Sequence, residues 1–222
     1  MPRFVLDVSG RNPATLQQVR DSRCVALEAK ATEGATYRDA TLAGHRRIAA
    51  ELGLPFGSYL FLHPSSSGSE ADAYLVYAQP RPGDIQPVID AEVRDGSSFQ
   101  TVAARVESCA RGLEARGYQP ILYASASFWR QLFAATPDLK RLRVWEAQYP
   151  GRVTRWLPKL AAMRIKLGHG VTVVMWQFTD RYAVDRHGFD MSVLLAPLDS
   201  ILIPKGDQAD LPRGGRGRSA QS

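Results

Sequence analysis

Two carboxyls stand two residues apart in Asp90-Ala91-Glu92, directly after the apolar run Ile85-Gln86-Pro87-Val88-Ile89. An extended segment sends side chains i and i+2 to the same side, so both acids share one face with Cα atoms about 6.5–7 Å apart. Like charges held that close raise the pKa of one group and leave the other ionised. Such a pair can protonate a leaving oxygen with one member. The other can support the positive charge that develops, which is the chemistry of glycosidic-bond hydrolysis.

Other polar and aromatic residues fall where strand-like runs end. Asp7 closes the first run, and Lys30 and Glu33 close the second. Tyr59 and Phe61 share a face of the third, and Tyr123 lies on the fifth. Trp145, Gln148 and Tyr149 follow on the sixth, Trp176 and Gln177 on the seventh, and Asp190 on the eighth. Each has a plain reading by itself. Asp7 can cap a strand, Lys30 and Glu33 can pair on a turn, and Trp145 and Trp176 can fill a core. In parallel α/β barrels, however, the active site lies at the carboxyl ends of the strands. Their coincidence there predicts a carboxylate-lined floor ringed by aromatics. Aromatic faces stack on sugar rings, and carboxylates and amides hold hydroxyls.

The elements that must position these residues alternate, strand with helix, as in an α/β fold with a largely parallel sheet. Strands are predicted over 4–8, 24–31, 56–62, the segment carrying Asp90 and Glu92, 121–124, 143–149, 171–178 and 189–193. Asn12-Pro13 reads as a helix start, and further helices are predicted over 38–52, up to 78 from a Ser69 cap, over 99–116 and around 128–133. Five βα units followed by three strands describe an incomplete barrel. Residues 151–170, with Trp156, Lys159, Arg164 and Lys166, read as an insertion that forms either a basic arm over a groove or a solvated excursion. Residues 204–222 are rich in Arg and Gly and are predicted to be a disordered basic tail.

The 222 residues suit one large domain, here 1–203, or two small ones. No stretch approaches the ~20 apolar residues of a membrane span. Met1-Pro2-Arg3 leads straight into Phe4-Val5-Leu6, too short for a signal-peptide core, so no signal peptide is expected. Cys24 and Cys109 are predicted to be buried free thiols. The four histidines, His45, His63, His169 and His187, form no zinc motif. Net charge is +6, of which the tail carries +2; this suits an anionic polymer as partner, or serves solubility alone. The tail has four cations and no interleaved aromatics, which argues against nucleic-acid binding.

Several segments together resemble the glycoside hydrolase family 25 lysozymes, the Chalaropsis-type muramidases common among phage endolysins. They are Asp7-Val8-Ser9, Lys30-Ala31-Thr32-Glu33-Gly34 with Tyr37, Gly57-Ser58-Tyr59-Leu60-Phe61, Asp90-Ala91-Glu92, Pro120-Ile121-Leu122-Tyr123, Trp145-Glu146-Ala147-Gln148-Tyr149, Trp176-Gln177-Phe178-Thr179 and Phe189-Asp190. The resemblance implies a flattened, TIM-like (β/α)5β3 barrel in one domain. It implies hydrolysis of the β-1,4 bond between N-acetylmuramic acid and N-acetylglucosamine in peptidoglycan. Glu92 falls on the proton donor, Asp90 on the carboxylate that stabilises the intermediate or orients the 2-acetamido group, and Asp7 and Asp190 on the other two acids. Tyr59, Tyr123, Trp145 and Gln177 fall on sugar contacts. The partner implied is the peptidoglycan strand, met by a monomer, with no metal or organic cofactor, no membrane and no nucleic acid. The expected setting is the bacterial wall, reached from the host cytoplasm through a holin lesion or on a virion. The alternative is a catalytically weak, peptidoglycan-binding structural component. Leu60 stands where many family members carry His, and the last strand lacks the family's Asp-x-Asn ending.

Overall fold

A computed structural model of the chain describes residues 2–156, 160 and 170–205. Its strands are β1 Phe4–Val8, β2 Ala26–Glu33, β3 Tyr37–Arg38, β4 Phe56–Phe61, β5 Val88–Asp90, β6 Ile121–Ser125, β7 Arg143–Ala147, β8 Val173–Val184 and β9 His187–Leu194. The helices are α1 Leu16–Ser22, α2 Leu42–Glu51, α3 Glu70–Ala78, α4 Phe99–Glu114 and α5 Ala126–Ala135. Pairing runs parallel from β1 through β2, β4, β5, β6 and β7 to β8. β9 then returns antiparallel between β8 and β1 and closes the sheet into an eight-stranded barrel, with β3 as an extra edge strand on β2. The expected (β/α)5β3 order is thus present.

The period-2 alternation of each strand splits the core in two. Val5, Ala26, Val88, Ile121, Trp145, Met175 and Leu194 fill the barrel interior. Their chain neighbours Leu6, Leu27, Ile89, Leu122, Val144 and Val193 face outward and join the helices in an outer layer. The long helix α4 buries Val102, Val106, Ala110 and Leu113, one face at helical spacing. Serine caps start α3 and α4, with Ser69 and Ser98 accepting from the main-chain N–H three residues on. Among the described residues no helix is long and apolar enough to cross a membrane. Cys24 and Cys109 are buried free thiols.

Several boundaries differ from expectation. The cap of α1 is Thr15, in a reciprocal capping box with Gln18, while the Asn12 amide instead donates to Gly188 O. Residues 37–38 pair with Thr32 and Glu33 before α2 begins, which shortens that helix. Strand β5 ends at Asp90, so Glu92 lies just past it, although Ala91 N–H still donates to Tyr123 O at 3.0 Å. The β8–β9 hairpin is longer than expected and turns through Asp185 and Arg186, both left-handed, as a two-residue turn of this hand requires. Trp156 belongs to no arm over a groove: its ring lies 5.2 Å from Phe178 and 5.8 Å from Phe4. Lys159, Arg164, Lys166 and tail residues 206–222 lie outside the described residues.

Candidate active site

Register alone places the acids together. Asp7 of β1 sits opposite Asp190 of β9 and beside Glu28 of β2. Directly paired residues share a face, so all three carboxyls enter the lumen. Asp90 pairs with Tyr123 on one side and Phe61 on the other. Tyr59 pairs with Lys30, which keeps both at the same end of the barrel.

Asp7 and Asp90 are 8% and 6% exposed, and each keeps one oxygen without a hydrogen-bond partner. Burial, then Asp190, Glu28, Asp90 and Glu92, push Asp7 well above the usual carboxyl range. Burial and then Glu92 do the same to Asp90, with the Lys30 charge working the other way. Asp190 is half-buried and is pushed up to about 6 by burial, Asp180 and Glu92. Glu92 alone of these four has an exposed side chain. The barrel wall still raises its pKa, against the pull of Lys30, and solvent limits that shift. The four acids therefore stand around one space, three of them lining it and one at its mouth. A carboxyl that stays protonated toward neutral pH can donate a proton to a substrate oxygen there.

Gln177 orders the opposite wall. Its Oε1 accepts from Tyr123 OH at 2.6 Å and from Tyr149 OH, which leaves its Nε2 to donate to Asp7 Oδ2 at a long 3.5 Å. Two hydroxyl donors on one amide oxygen fix the amide's orientation. Tyr149 is 47% exposed. Lys30 pairs with Glu33 and lies over the Phe61 ring, so Phe61 serves as a support for the ammonium.

Three expected contacts are placed differently. Trp176 is fully buried in the outer layer, its ring against Phe178, because it is the outward-facing neighbour of Gln177 on β8. Trp145 faces the lumen but is 1% exposed, sealed under Tyr123 with its Nε1–H given to Ser192 Oγ, so it is a floor and presents no face for stacking. The Gln148 side chain is exposed, and the residue's main-chain carbonyl takes the Trp176 Nε1–H. Glu28, His63 and Asp95 were not singled out from the sequence. Glu28 could have been found from Ala26-x-Glu28-x-Lys30, whose alternation puts it on the face of Lys30. His63 and Asp95 lie in strand-exit loops without a periodic signal. Among the described residues no group of three His, Cys, Asp or Glu side chains is arranged to hold a metal ion.

Comparison with known proteins gives a consistent placement. A family profile described as glycosyl hydrolases family 25 matches residues 7–187, from Asp7 to just short of Asp190. An autolytic lysozyme of Clostridium acetobutylicum is 29% identical over 141 residues, 64% of this chain and 43% of that protein. The chain thus spans less than half the length of that relative. A bacterial lysozyme from Streptomyces coelicolor has a TM-score of 0.74 at 19% identity, covering 90% of this chain and 95% of that one. A family 25 glycosyl hydrolase from Bacillus anthracis has a TM-score of 0.71 at 17% identity, covering 89% and 91%. These two structures share the barrel fold.

Proposed function

The chain belongs to the glycosyl hydrolases of family 25, and on that premise we propose that it is a muramidase. Its reaction is hydrolysis of the β-1,4 bond between N-acetylmuramic acid and N-acetylglucosamine in bacterial peptidoglycan, and its place of action is the bacterial wall. The observation that carries the reading is the meeting of Asp7, Asp90, Asp190 and Glu92 at one end of the barrel, each with its pKa raised.

In this reading Glu92 is the general acid, since it is the acid at the mouth of the site and its carboxyl is held toward the protonated form. Asp90 is the carboxylate that steadies the substrate's developing charge or its 2-acetamido N–H. Lys30 supplies the positive charge that favours its ionised form. Asp7 and Asp190 complete the carboxyl floor, Tyr59, Tyr123 and Tyr149 line the sugar-binding walls, and buried Gln177 holds the Tyr123 and Tyr149 hydroxyls in place. A bell-shaped pH-activity profile follows, its two limbs set by the coupled titration of the Asp90–Glu92 pair.

The test is digestion of purified peptidoglycan by wild type and by Glu92→Gln, with mass spectrometry of the products. The expected result is fragments with reducing N-acetylmuramic acid ends from wild type and at least about 100-fold less from the variant. Retained wall binding with no fragments from either protein would instead identify a structural wall-binding component.

A further inference from the structure

Beside the acid cluster, a chain of charged groups runs along the rim. Asp95 Oδ2 meets His63 Nδ1 at 2.8 Å, and His63 Nε2 meets Glu33 Oε1 at 3.1 Å. The other oxygen of Glu33 takes the Lys30 ammonium. Lys30 is buried with its Nζ 4.6 Å from the centroid of the Phe61 ring, and the same ring lies 5.2 Å from the His63 imidazole. Ser65 OH donates to Asp95 Oδ2 at 3.1 Å.

An ionised carboxylate only accepts hydrogen bonds, so a histidine with a carboxylate on each ring nitrogen must donate from both. Only the imidazolium can do that. The charged groups around His63 support this state. Glu33 approaches from β2 and Asp95 from the loop after β5. Glu70 of α3 accepts the His63 main-chain N–H at 2.9 Å through one oxygen, and Arg105 of α4 holds its other oxygen, also at 2.9 Å. Burial works against the charge on His63, and Asp95 and Glu33 outweigh it, so its pKa is raised.

We propose that His63 is a positioning residue for the acid pair: it clamps Glu33, Glu33 fixes Lys30, and Lys30 places its charge beside Asp90 and Glu92. The proposal rests on the muramidase reading. Removing the clamp frees Glu33 and leaves its negative charge less compensated. It also loosens Lys30, the group that holds both Asp90 and Glu92 down. The loosened Lys30 pushes both acids toward higher pKa, and the freed Glu33 charge adds to this at Asp90.

The deciding measurement is carbon-13 NMR titration of the Asp90 and Glu92 carboxyls, which needs no turnover. Wild type is compared with His63→Gln, Asp95→Asn and His63→Arg. Asp95 has a left-handed backbone that Asn tolerates, so the second variant remains informative if His63→Gln fails to fold. The expected result is a rise of both midpoints by about half a unit or more in His63→Gln and Asp95→Asn. His63→Arg, a cation able to donate to both carboxylates, should restore them. The acidic limb of kcat should move up with the midpoints, costing about 3-fold at its foot with KM little changed. Unchanged midpoints in both variants, or an activity loss uniform across pH that follows lost stability, would overturn the proposal. A wild type without turnover would count against the muramidase reading alone, since the titration still decides the positioning role.

Discussion

Glu28 lies fully buried in the lumen, and neither of its carboxyl oxygens has a hydrogen-bond partner. Burial and the negative charge of Asp84 push its pKa well above the usual range. An unsatisfied buried polar group costs about 1–3 kcal/mol. Leucine has a similar volume and no such cost. Glu28→Leu is therefore expected to stabilise the fold by about 1–3 kcal/mol at pH 7, read from urea melts. A clear loss of stability would show that the acid is needed to hold the floor. Asp7 is its in-register neighbour and is pushed up partly by it, so the same variant should lower the Asp7 midpoint.

At the scale of elements, β2 and β4 are fitted to each other through that acid. A Cβ built on Gly57 would lie 2.0 Å from Glu28 Oε1. Gly57→Ala is expected to cost about 1–3 kcal/mol, because the carboxyl must move within a closed lumen. Adding Glu28→Ala should recover part of that cost, a non-additivity that a double-mutant cycle measures. Additive effects would show that the strands do not compete for this space. Strand β8 makes the complementary point. Trp176 faces the outer layer and Gln177 the lumen, so Trp176→Ala should cost about 3–5 kcal/mol and leave glycan binding by the folded protein intact. Tyr149→Ala should do the reverse: calorimetry would find weaker glycan binding and melts a nearly unchanged stability. The alternation itself was legible in the sequence. Which parity faced the lumen at Trp176 was not, because β8 is buried on both faces and both parities are apolar there.

The whole molecule holds several acids that bind protons more tightly folded than unfolded. Asp7, Asp90 and Glu28 are raised well above their usual values and Asp190 is raised to about 6. Each such group makes the folded state the better proton binder, so stability falls as pH rises from its unfolded pKa through its folded one. The slope is at most about 1.4 kcal/mol per pH unit per group. His63 is also raised, and its contribution is lost in the same direction. Glu33, Asp39 and Asp95 are lowered, so theirs is lost instead as pH falls through their folded pKa values. Maximum stability is therefore expected between about pH 4 and pH 6. Thermal melts across that range should show a higher Tm near pH 5 than near pH 8, with the difference reduced in Glu28→Gln. A Tm that rises toward pH 8 would contradict the buried-acid account.

The sequence by itself determined the βα order, the faces of most strands and the rim to which the four acids belong. These follow from local periodicity and from the rule that parallel barrels carry their sites at the carboxyl ends of strands. Only the tertiary structure decided which residues meet. Barrel closure through β1, β2 and β9 brings Asp7, Glu28 and Asp190 into one layer across more than 160 residues of chain. It sinks Trp145 beneath Tyr123, turns Trp176 outward and joins two loop residues, His63 and Asp95, to Glu33 and Lys30. Such contacts depend on register and on how loops fold back over the rim. Neither leaves a periodic trace in the chain, because side chains from different loops are placed by the sheet they share.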